Sequence, residues 1–159
     1  MLKIAMIGAG SIGFTRRLMM DILAVEQFRD TEFRFMDINE ENLQMATNLC
    51  RKMIRDNGLE AVIHATTDRR EAIRDADYVF CFVRVGGLEA FQYDIEIPLK
   101  YGVDQCVGDT LGPGGVFYAL RSIPVLLDIA KDMREVAPNA LLLNYSNPMA
   151  MNTWAVRRA

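Results

Sequence analysis

The chain opens with a short apolar run, Leu2 to Ile7, that continues directly into a G-x-G-x-x-G segment formed by Gly8, Gly10 and Gly13. A helix-like segment follows, which is the context in which this pattern holds a dinucleotide. Gly8 lets the chain turn off the first strand, Gly10 lets a pyrophosphate approach the backbone, and Gly13 lets the helix pack close to the strand. The opening therefore predicts the first strand–turn–helix unit of a Rossmann-type domain.

A second apolar strand pattern ends in an acid, Asp37. A carboxylate at this place accepts hydrogen bonds from the adenosine ribose and repels a 2′-phosphate, so it favours NAD over NADP. The backbone amides of Ser11 and Ile12, at the start of the first helix, would face the negative phosphates. Gly8, Gly10, Ser11, Ile12 and Asp37 are therefore candidate cofactor-binding residues.

Strand and helix patterns alternate along the whole chain, which predicts right-handed crossovers and a doubly wound parallel sheet of the α/β class. We expect residues 1–159 to form a single NAD-binding Rossmann domain. In the second helix an apolar stripe recurs at the helical period, with Asn39 as N-cap and Gly58 after the last turn. Pro124 predicts a kink or a restart in the long helix. Strands are predicted near 2–8, 32–37, 60–64, 77–83 and 140–146, and helices near 12–26, 40–57, 69–75, 115–137 and from 148 onward.

Composition limits the kinds of partner. The net charge is −3, whereas a nucleic-acid surface needs a basic stripe. No apolar run approaches the roughly 20 residues that span a bilayer, and the N-terminus lacks the pattern of a signal peptide. The chain has three cysteines, an odd number without a close pair in sequence, which argues against disulfides. We therefore expect a reducing compartment, the cytoplasm. We expect no nucleic-acid or membrane partner.

Ligands of an open parallel sheet bind beyond the carboxyl ends of its strands, and three candidate segments follow strand patterns there. Arg84 precedes a glycine-rich turn with Gly86 and Gly87, where it could act as a fixed cation near the cofactor. The alternative is that Arg84 is a solvated side chain in a flexible loop. Asp109 and Thr110 precede the long helix, where the acid could orient another group or simply cap the helix. Asn147, held out of helical geometry by Pro148, could bind a sugar hydroxyl or cap the last helix.

Other candidates favour simple structural roles. His64, the one histidine of the chain, lies on the third predicted strand, which suggests a structural or adenine-side position rather than catalysis.

Four segments in this order and spacing resemble family 4 glycoside hydrolases: GAGSIGF, RVGG, GDTLGPGG and NYSNPMAMNTW. The resemblance extends over all 159 residues and about a third of a typical member. Members of this family hydrolyse glycosides with NAD rather than with a carboxylate pair. The resemblance implies transient oxidation at C3 of the sugar, removal of the C2 proton by a tyrosine, loss of the leaving group, addition of water and return of the hydride.

The resemblance also implies a divalent metal, usually Mn²⁺, as a Lewis acid, and a homo-oligomer. Carried over to this sequence, Asn147 matches the substrate-binding asparagine and Asp109 the acid that raises the basicity of the tyrosine base. Gly8, Gly10, Ser11, Ile12, Asp37 and Arg84 are assigned to the cofactor. The metal ligands and the base would lie beyond residue 159, so the chain would be the N-terminal part of a longer enzyme, with no metal ligand of its own and no hydrolysis by itself.

Phosphoglycosidases of the family carry an arginine seven residues after the position of Arg84, where this sequence has Phe91. A phenyl ring cannot pair with a phosphate dianion, which predicts an unphosphorylated substrate. The last motif and Asp109 resemble the α-galactosidase branch, so α-galactosides are expected first, before α-glucosides or galacturonides. Two alternatives stay open: an oxidoreductase similar to lactate or malate dehydrogenase, and a non-catalytic NAD-binding module.

Overall fold

A computed structural model describes all 159 residues. The chain forms two compact units, residues 1–82 with 132–143 and residues 83–131 with 144–159. The strands are β1 (Lys3–Ile7), β2 (Glu32–Met36), β3 (Val62–Thr66), β4 (Tyr78–Cys81) and β5 (Leu141–Asn144). The helices are α1 (Ile12–Leu23), α2 (Glu40–Asp56), α3 (Arg69–Ile73), α4 (Gly87–Leu99), α5 (Gly112–Val136) and α6 (Met149–Arg158).

The strands form one sheet in the order β3-β2-β1-β4-β5. β1 pairs in parallel with β2 on one side and with β4 on the other, and β2 pairs in parallel with β3. The order reverses between β1 and β4, which is the topological switch point of a doubly wound sheet. The predicted fold class is therefore confirmed.

The core of the first unit lies on the central strands. Ala5 and Met6 of β1 and Phe33 and Phe35 of β2 are fully buried, as expected for parallel strands covered on both faces. From α2, Leu43, Ala46, Cys50 and Ile54 are buried, which confirms the predicted stripe. Burial raises the pKa of the Cys50 thiol to about 11, so this cysteine is a packing residue and not a nucleophile.

The predicted ends of α2 are also confirmed. The Asn39 side chain accepts a hydrogen bond from the Asn42 amide at the N-terminus of the helix, and Gly58 adopts a φ of 62° just after it.

The structure differs from the predicted elements in three places. The glycine-rich segment at residues 84–89 leads into a helix that was not predicted, α4. The third strand begins at Val62 rather than residue 60. Of the two outcomes predicted for Pro124, a kink or a restart, the restart is wrong, because the long helix continues through Pro124 from Gly112 to Val136. A proline leaves the carbonyl four residues earlier without a partner, and Leu120 is well exposed, so water can take that hydrogen bond.

The short helix α3 is held by one carboxylate of α5. Asp132 accepts from Arg69 Nε at 2.7 Å and from Arg70 Nη1 at 2.8 Å. Burial tends to raise the pKa of the Asp132 carboxyl, but the hydrogen bonds from both arginines outweigh it, and the pKa lies below its usual range. The ionised carboxylate is therefore stabilised by the folded state.

We expect Asp132→Asn to lower the free energy of unfolding by about 1–3 kcal/mol near pH 7, because one charged partner of two arginines is lost. A carboxyl whose pKa is lower when folded contributes stability above its unfolded pKa of about 4 and loses it as the pH falls through the folded value. The difference between wild type and variant, measured by urea denaturation, should thus shrink below about pH 4. Asp128→Asn, on the exposed side of α5, is the matched control, and equal losses in both variants would contradict the assignment.

Candidate functional site

The glycine turn after β1 is hydrogen-bonded to the end of β2. The amides of Gly8 and Ala9 both donate to the Met36 carbonyl oxygen at 2.9 Å, and the amide of Gly10 donates to Asp37 Oδ2 at 2.8 Å. Gly8 has a φ of 97°, a left-handed conformation that side chains rarely adopt. The turn and the acid at the end of β2 therefore form one rigid feature.

Asp37, predicted to bind ribose hydroxyls, also accepts hydrogen bonds from the local backbone. Its Oδ2 accepts from Gly10 and its Oδ1 accepts from the amide of Asn39 at 2.9 Å. A carboxylate offers about four acceptor positions, and the residue is half-buried. Acceptor positions on Asp37 are therefore left for hydroxyl groups of a ligand, while two of them hold the local backbone.

The second and third glycines of the motif differ in their surroundings. A Cβ atom at Gly10 would lie 2.7 Å from Asp37 Oδ2 and 3.0 Å from Asn42 Cβ. Gly10 therefore makes room for the acid itself, and not only for a pyrophosphate. A Cβ atom at Gly13 would meet nothing within 4 Å. The predicted reason for Gly13, close packing of helix on strand, is wrong, since the side of the helix at Gly13 faces open space.

The amino end of α1 is built to accept an anion. Ser11 is the N-cap residue, but its side chain makes no capping hydrogen bond, and the first turn contains no acidic residue. The amides of Ile12 and Gly13 have no partner inside the helix, because the first amides of any helix lack one. They stand at the positive end of the helix dipole, so this end fits a phosphate.

In the second unit, three of the predicted residues meet. Asp109 Oδ2 accepts from Asn147 Nδ2 at 3.3 Å and lies 3.9 Å from an Arg84 guanidinium nitrogen. Asp109 Oδ1 accepts from the Thr110 hydroxyl at 2.9 Å. In the first turn of α5 the Gly114 amide donates to Gln105 Oε1, so Gln105 takes the capping role that was the alternative for Asp109.

Arg84 is neither a fully solvated side chain nor a buried one. Its guanidinium carbon lies 5.0 Å from the centre of the Phe91 ring and 5.8 Å from that of Tyr118. Its side chain keeps 44% exposure, which leaves an accessible edge. Tyr118 is almost fully buried, and burial raises the pKa of its phenol. Arg84 therefore stays beside Asp109 because two aromatic rings hold it there.

An ion pair between the buried Asp94 and the partly exposed Arg121 also contacts Tyr118. Arg121 donates to both oxygens of Asp94, at 2.7 and 2.6 Å, and its guanidinium lies 5.4 Å from the Tyr118 ring centre. The sequence interpretation missed this pair and Gln105. The pattern GPGG at residues 112–115 was a partial signal, since a Cβ atom at Gly114 would lie 2.7 Å from the Asp94 carbonyl oxygen.

Asn147 precedes a cis peptide bond to Pro148. Pro148 is the N-cap residue of α6, which begins at Met149, one residue later than predicted. The Asn147 amide bonds to Asp109 rather than to the first turn of α6. The alternative in which Asn147 caps the last helix is therefore wrong, and its ligand-binding role stays a prediction.

Two cavities of the first unit are lined by none of the candidate cofactor-binding residues. One of about 740 Å³ lies beside the C-terminal ends of α1 and α2, and one of about 310 Å³ is lined by Arg34, His64 and Glu71. His64 is exposed on β3. No group of three or more histidine, cysteine, aspartate or glutamate side chains could hold a metal ion. No helix combines the length and the apolar character needed to cross a bilayer.

Comparison with known proteins identifies the family. The model of the family 4 glycosyl hydrolases matches residues 3–159. The chain belongs to this family. It is 58% identical over 154 residues to an alpha-galactosidase of Rhizobium meliloti (strain 1021), an alignment that covers 96% of this chain and 31% of that protein. The family 4 chain thus spans about a third of the length of this relative.

Solved structures agree with the family and the fold. A 6-phospho-alpha-glucosidase from gut microorganisms, solved in complex with NAD and Mn²⁺, matches with a TM-score of 0.85 and 30% identity over 99% of this chain and 35% of its own. A malate dehydrogenase from Salinibacter ruber matches with a TM-score of 0.64 at 16% identity over 99% of this chain and 40% of its own. The similarity to the malate dehydrogenase shows a shared fold only.

The two glycines give a matched pair of variants. We expect Gly13→Ala to raise the free energy of unfolding by up to about 1 kcal/mol, because alanine fits the open space and restricts the unfolded chain. Gly10→Ala should lower it by about 1–3 kcal/mol, because the new methyl group displaces the Asp37 carboxylate. Urea denaturation of both variants measures the difference, and a Gly10→Ala protein as stable as wild type would contradict the described turn.

Proposed function

We propose that residues 1–159 form the dinucleotide-binding part of a longer, NAD-dependent glycoside hydrolase that acts on unphosphorylated α-galactosides. The observation that carries this proposal is the uncapped amino end of α1 beside the Asp37 carboxylate, in a chain of family 4. A free helix amino end suits a pyrophosphate, and an acid at the end of β2 suits ribose hydroxyls. By itself the chain should bind NAD without hydrolysing glycosides.

The proposed cofactor site includes the turn at Gly8, Gly10 and Ser11, the amide of Ile12, which lacks a partner within the helix, and the Asp37 carboxylate. The amides of Gly8, Gly10 and Ser11 already donate to backbone or carboxylate oxygens, so these residues shape the turn rather than offer free donors. We also assign Arg84, in the second unit, to the cofactor. The open space beside Gly13 is consistent with a bulky ligand close to the helix. NAD, when bound, supplies a hydride acceptor that is regenerated within each turnover. The residues of this chain bind and orient the cofactor and exclude a 2′-phosphate.

On the substrate side we assign Asn147 to a sugar hydroxyl and Asp109 to the support of the base. The base itself, and the ligands of a divalent metal such as Mn²⁺, are expected from the part of the protein that this chain does not include. The residues present do not form a metal site.

The unphosphorylated substrate is supported by Phe91, at the position where phosphoglycosidases carry an arginine. Its ring packs on the Arg84 guanidinium, and Arg84 in turn faces Asp109. A phosphate dianion would thus find at this position an apolar ring and an arginine already beside a carboxylate. The 58% identity with a protein named alpha-galactosidase supports the choice of α-galactosides.

We further propose a cytoplasmic homo-oligomer. The cytoplasm is consistent with three cysteines that form no disulfide, because thiols stay reduced there. The oligomer is consistent with large apolar side chains exposed on α5, among them Val116 and Leu120, because such side chains often lie in contacts between subunits. Sedimentation velocity of the full-length protein tests the second point, and a monomer at all concentrations would contradict it.

For the cofactor, we expect titration calorimetry to show NAD binding with NADP bound at least about tenfold more weakly, because of the Asp37 charge. Asp37→Ser should weaken NAD and narrow the difference between the two dinucleotides. Asp30→Ser, an exposed acid elsewhere in the first unit, is the control and should leave both affinities unchanged. Absence of NAD binding by the wild-type protein would refute the cofactor assignment.

For the reaction, we expect the full-length protein with NAD⁺, Mn²⁺ and a reductant to hydrolyse nitrophenyl α-galactoside. Product should exceed NAD many times over, because the hydride returns to the sugar in each cycle. A dehydrogenase would instead consume one NAD for each substrate molecule. Faster turnover of the 6-phosphorylated sugar than of the free sugar would show that the interpretation of Phe91 is wrong.

A further inference from the structure

The side-chain amide of Asn147 has a nitrogen that donates hydrogen bonds and an oxygen that accepts them. The contact with Asp109 determines which of these two atoms faces the carboxylate. A carboxylate can only accept hydrogen bonds, and an amide donates only through its nitrogen. The Asn147 nitrogen therefore faces Asp109 Oδ2, at 3.3 Å. The amide carbonyl oxygen, an acceptor, points away from the carboxylate.

Asp109 is itself held in place by a hydrogen-bond donor and by a nearby cation. The Thr110 hydroxyl donates to its Oδ1 at 2.9 Å. The Arg84 guanidinium lies 3.9 Å from its Oδ2 and is confined by the rings of Phe91 and Tyr118. With a side chain only 14% exposed, the carboxylate has little freedom to turn, so the orientation of Asn147 is fixed in advance of binding.

We propose that Asp109 is a positioning residue for Asn147, and that the pair selects ligand groups that donate a hydrogen bond to the Asn147 carbonyl oxygen. Sugar hydroxyl groups are such donors, whereas carboxylates and phosphate dianions are not. The proposal rests on the proposed function, in which Asn147 contacts the sugar. It adds that Asn147 accepts the hydrogen bond from the sugar, and that Asp109 is the residue that orients Asn147 to do so.

The test exchanges the two side chains in the full-length enzyme. Asn147→Asp alone places two carboxylates face to face, and like charges so close cannot both be ionised without strain. KM for nitrophenyl α-galactoside should therefore rise by about tenfold or more. The double variant Asn147→Asp/Asp109→Asn restores a donor facing an acceptor and again turns an acceptor oxygen away. Its KM should return to within about threefold of wild type, since the net charge of the pair is also restored. Its kcat should stay low, because the acid assigned to the support of the base is no longer at position 109.

The pH dependence supplies a signature that a merely structural defect would not give. In Asn147→Asp the repulsion is relieved when one carboxyl takes up a proton, so its KM should fall towards low pH, whereas wild type and the double variant should not show this trend. Of the other charged or titratable groups, Arg84 lies 3.9 Å from Asp109 and Tyr118 interacts electrostatically with it. Arg121 and Asp94 lie next to Tyr118. All four remain unchanged in every variant, so the trend reports on the exchanged pair.

If the double variant binds the sugar no better than Asn147→Asp, and its circular dichroism and NAD affinity match the wild type, the proposed polarity is wrong. The same result is expected where the Asn147 nitrogen, and not its oxygen, contacts the ligand. The outcome is separate from a failure of the proposed function: if the wild-type enzyme hydrolyses no glycoside, the function is wrong. Only with an active wild type does the exchange test the orientation of Asn147.

Discussion

Three consecutive backbone amides, those of Gly8, Ala9 and Gly10, donate to the last residues of β2, and the first unit depends on this connection. Two of them share the Met36 carbonyl oxygen and the third bonds to the Asp37 carboxylate. The turn cannot shift without moving the end of β2, so the helix amino end and the acid keep a fixed distance. A ligand that contacts both meets groups already in place, which lowers the ordering cost of binding.

The sequence predicted the parts of the fold in which local pattern and burial agree. β1, β2 and α2 follow this rule, because their apolar residues face the core at the expected period. α4 does the opposite: it buries Asp94 and Pro98 and exposes Leu88 and Tyr93. A periodicity rule cannot find such a helix, since the partner that makes burial of Asp94 possible is Arg121, which lies 27 residues away.

The candidate site was predictable to a similar extent. Asp109 and Asn147 lie 38 residues apart in sequence, and both were placed beyond the carboxyl ends of the strands, which is consistent with their contact in the structure. The partners that orient them were not predictable, because stacking of Arg84 on Phe91 and Tyr118 depends on the unpredicted α4. Gly13 illustrates a different limit. The motif predicted its position, but the open space beside it depends on tertiary structure that the motif does not specify.

The pair of Asp94 and Arg121 is better explained by geometry than by stability. Burying the Asp94 carboxylate costs several kcal/mol that the attraction of its partner often only offsets, so a gain in stability is a weak reason for the pair. An apolar pair would not place a guanidinium against one face of Tyr118, however, and this ring also borders Arg84. The chain of contacts from Asp94 through Arg121, Tyr118 and Arg84 ends at Asp109. The ion pair therefore helps to orient groups at the candidate site. A fold that only binds a dinucleotide does not need such an ion pair.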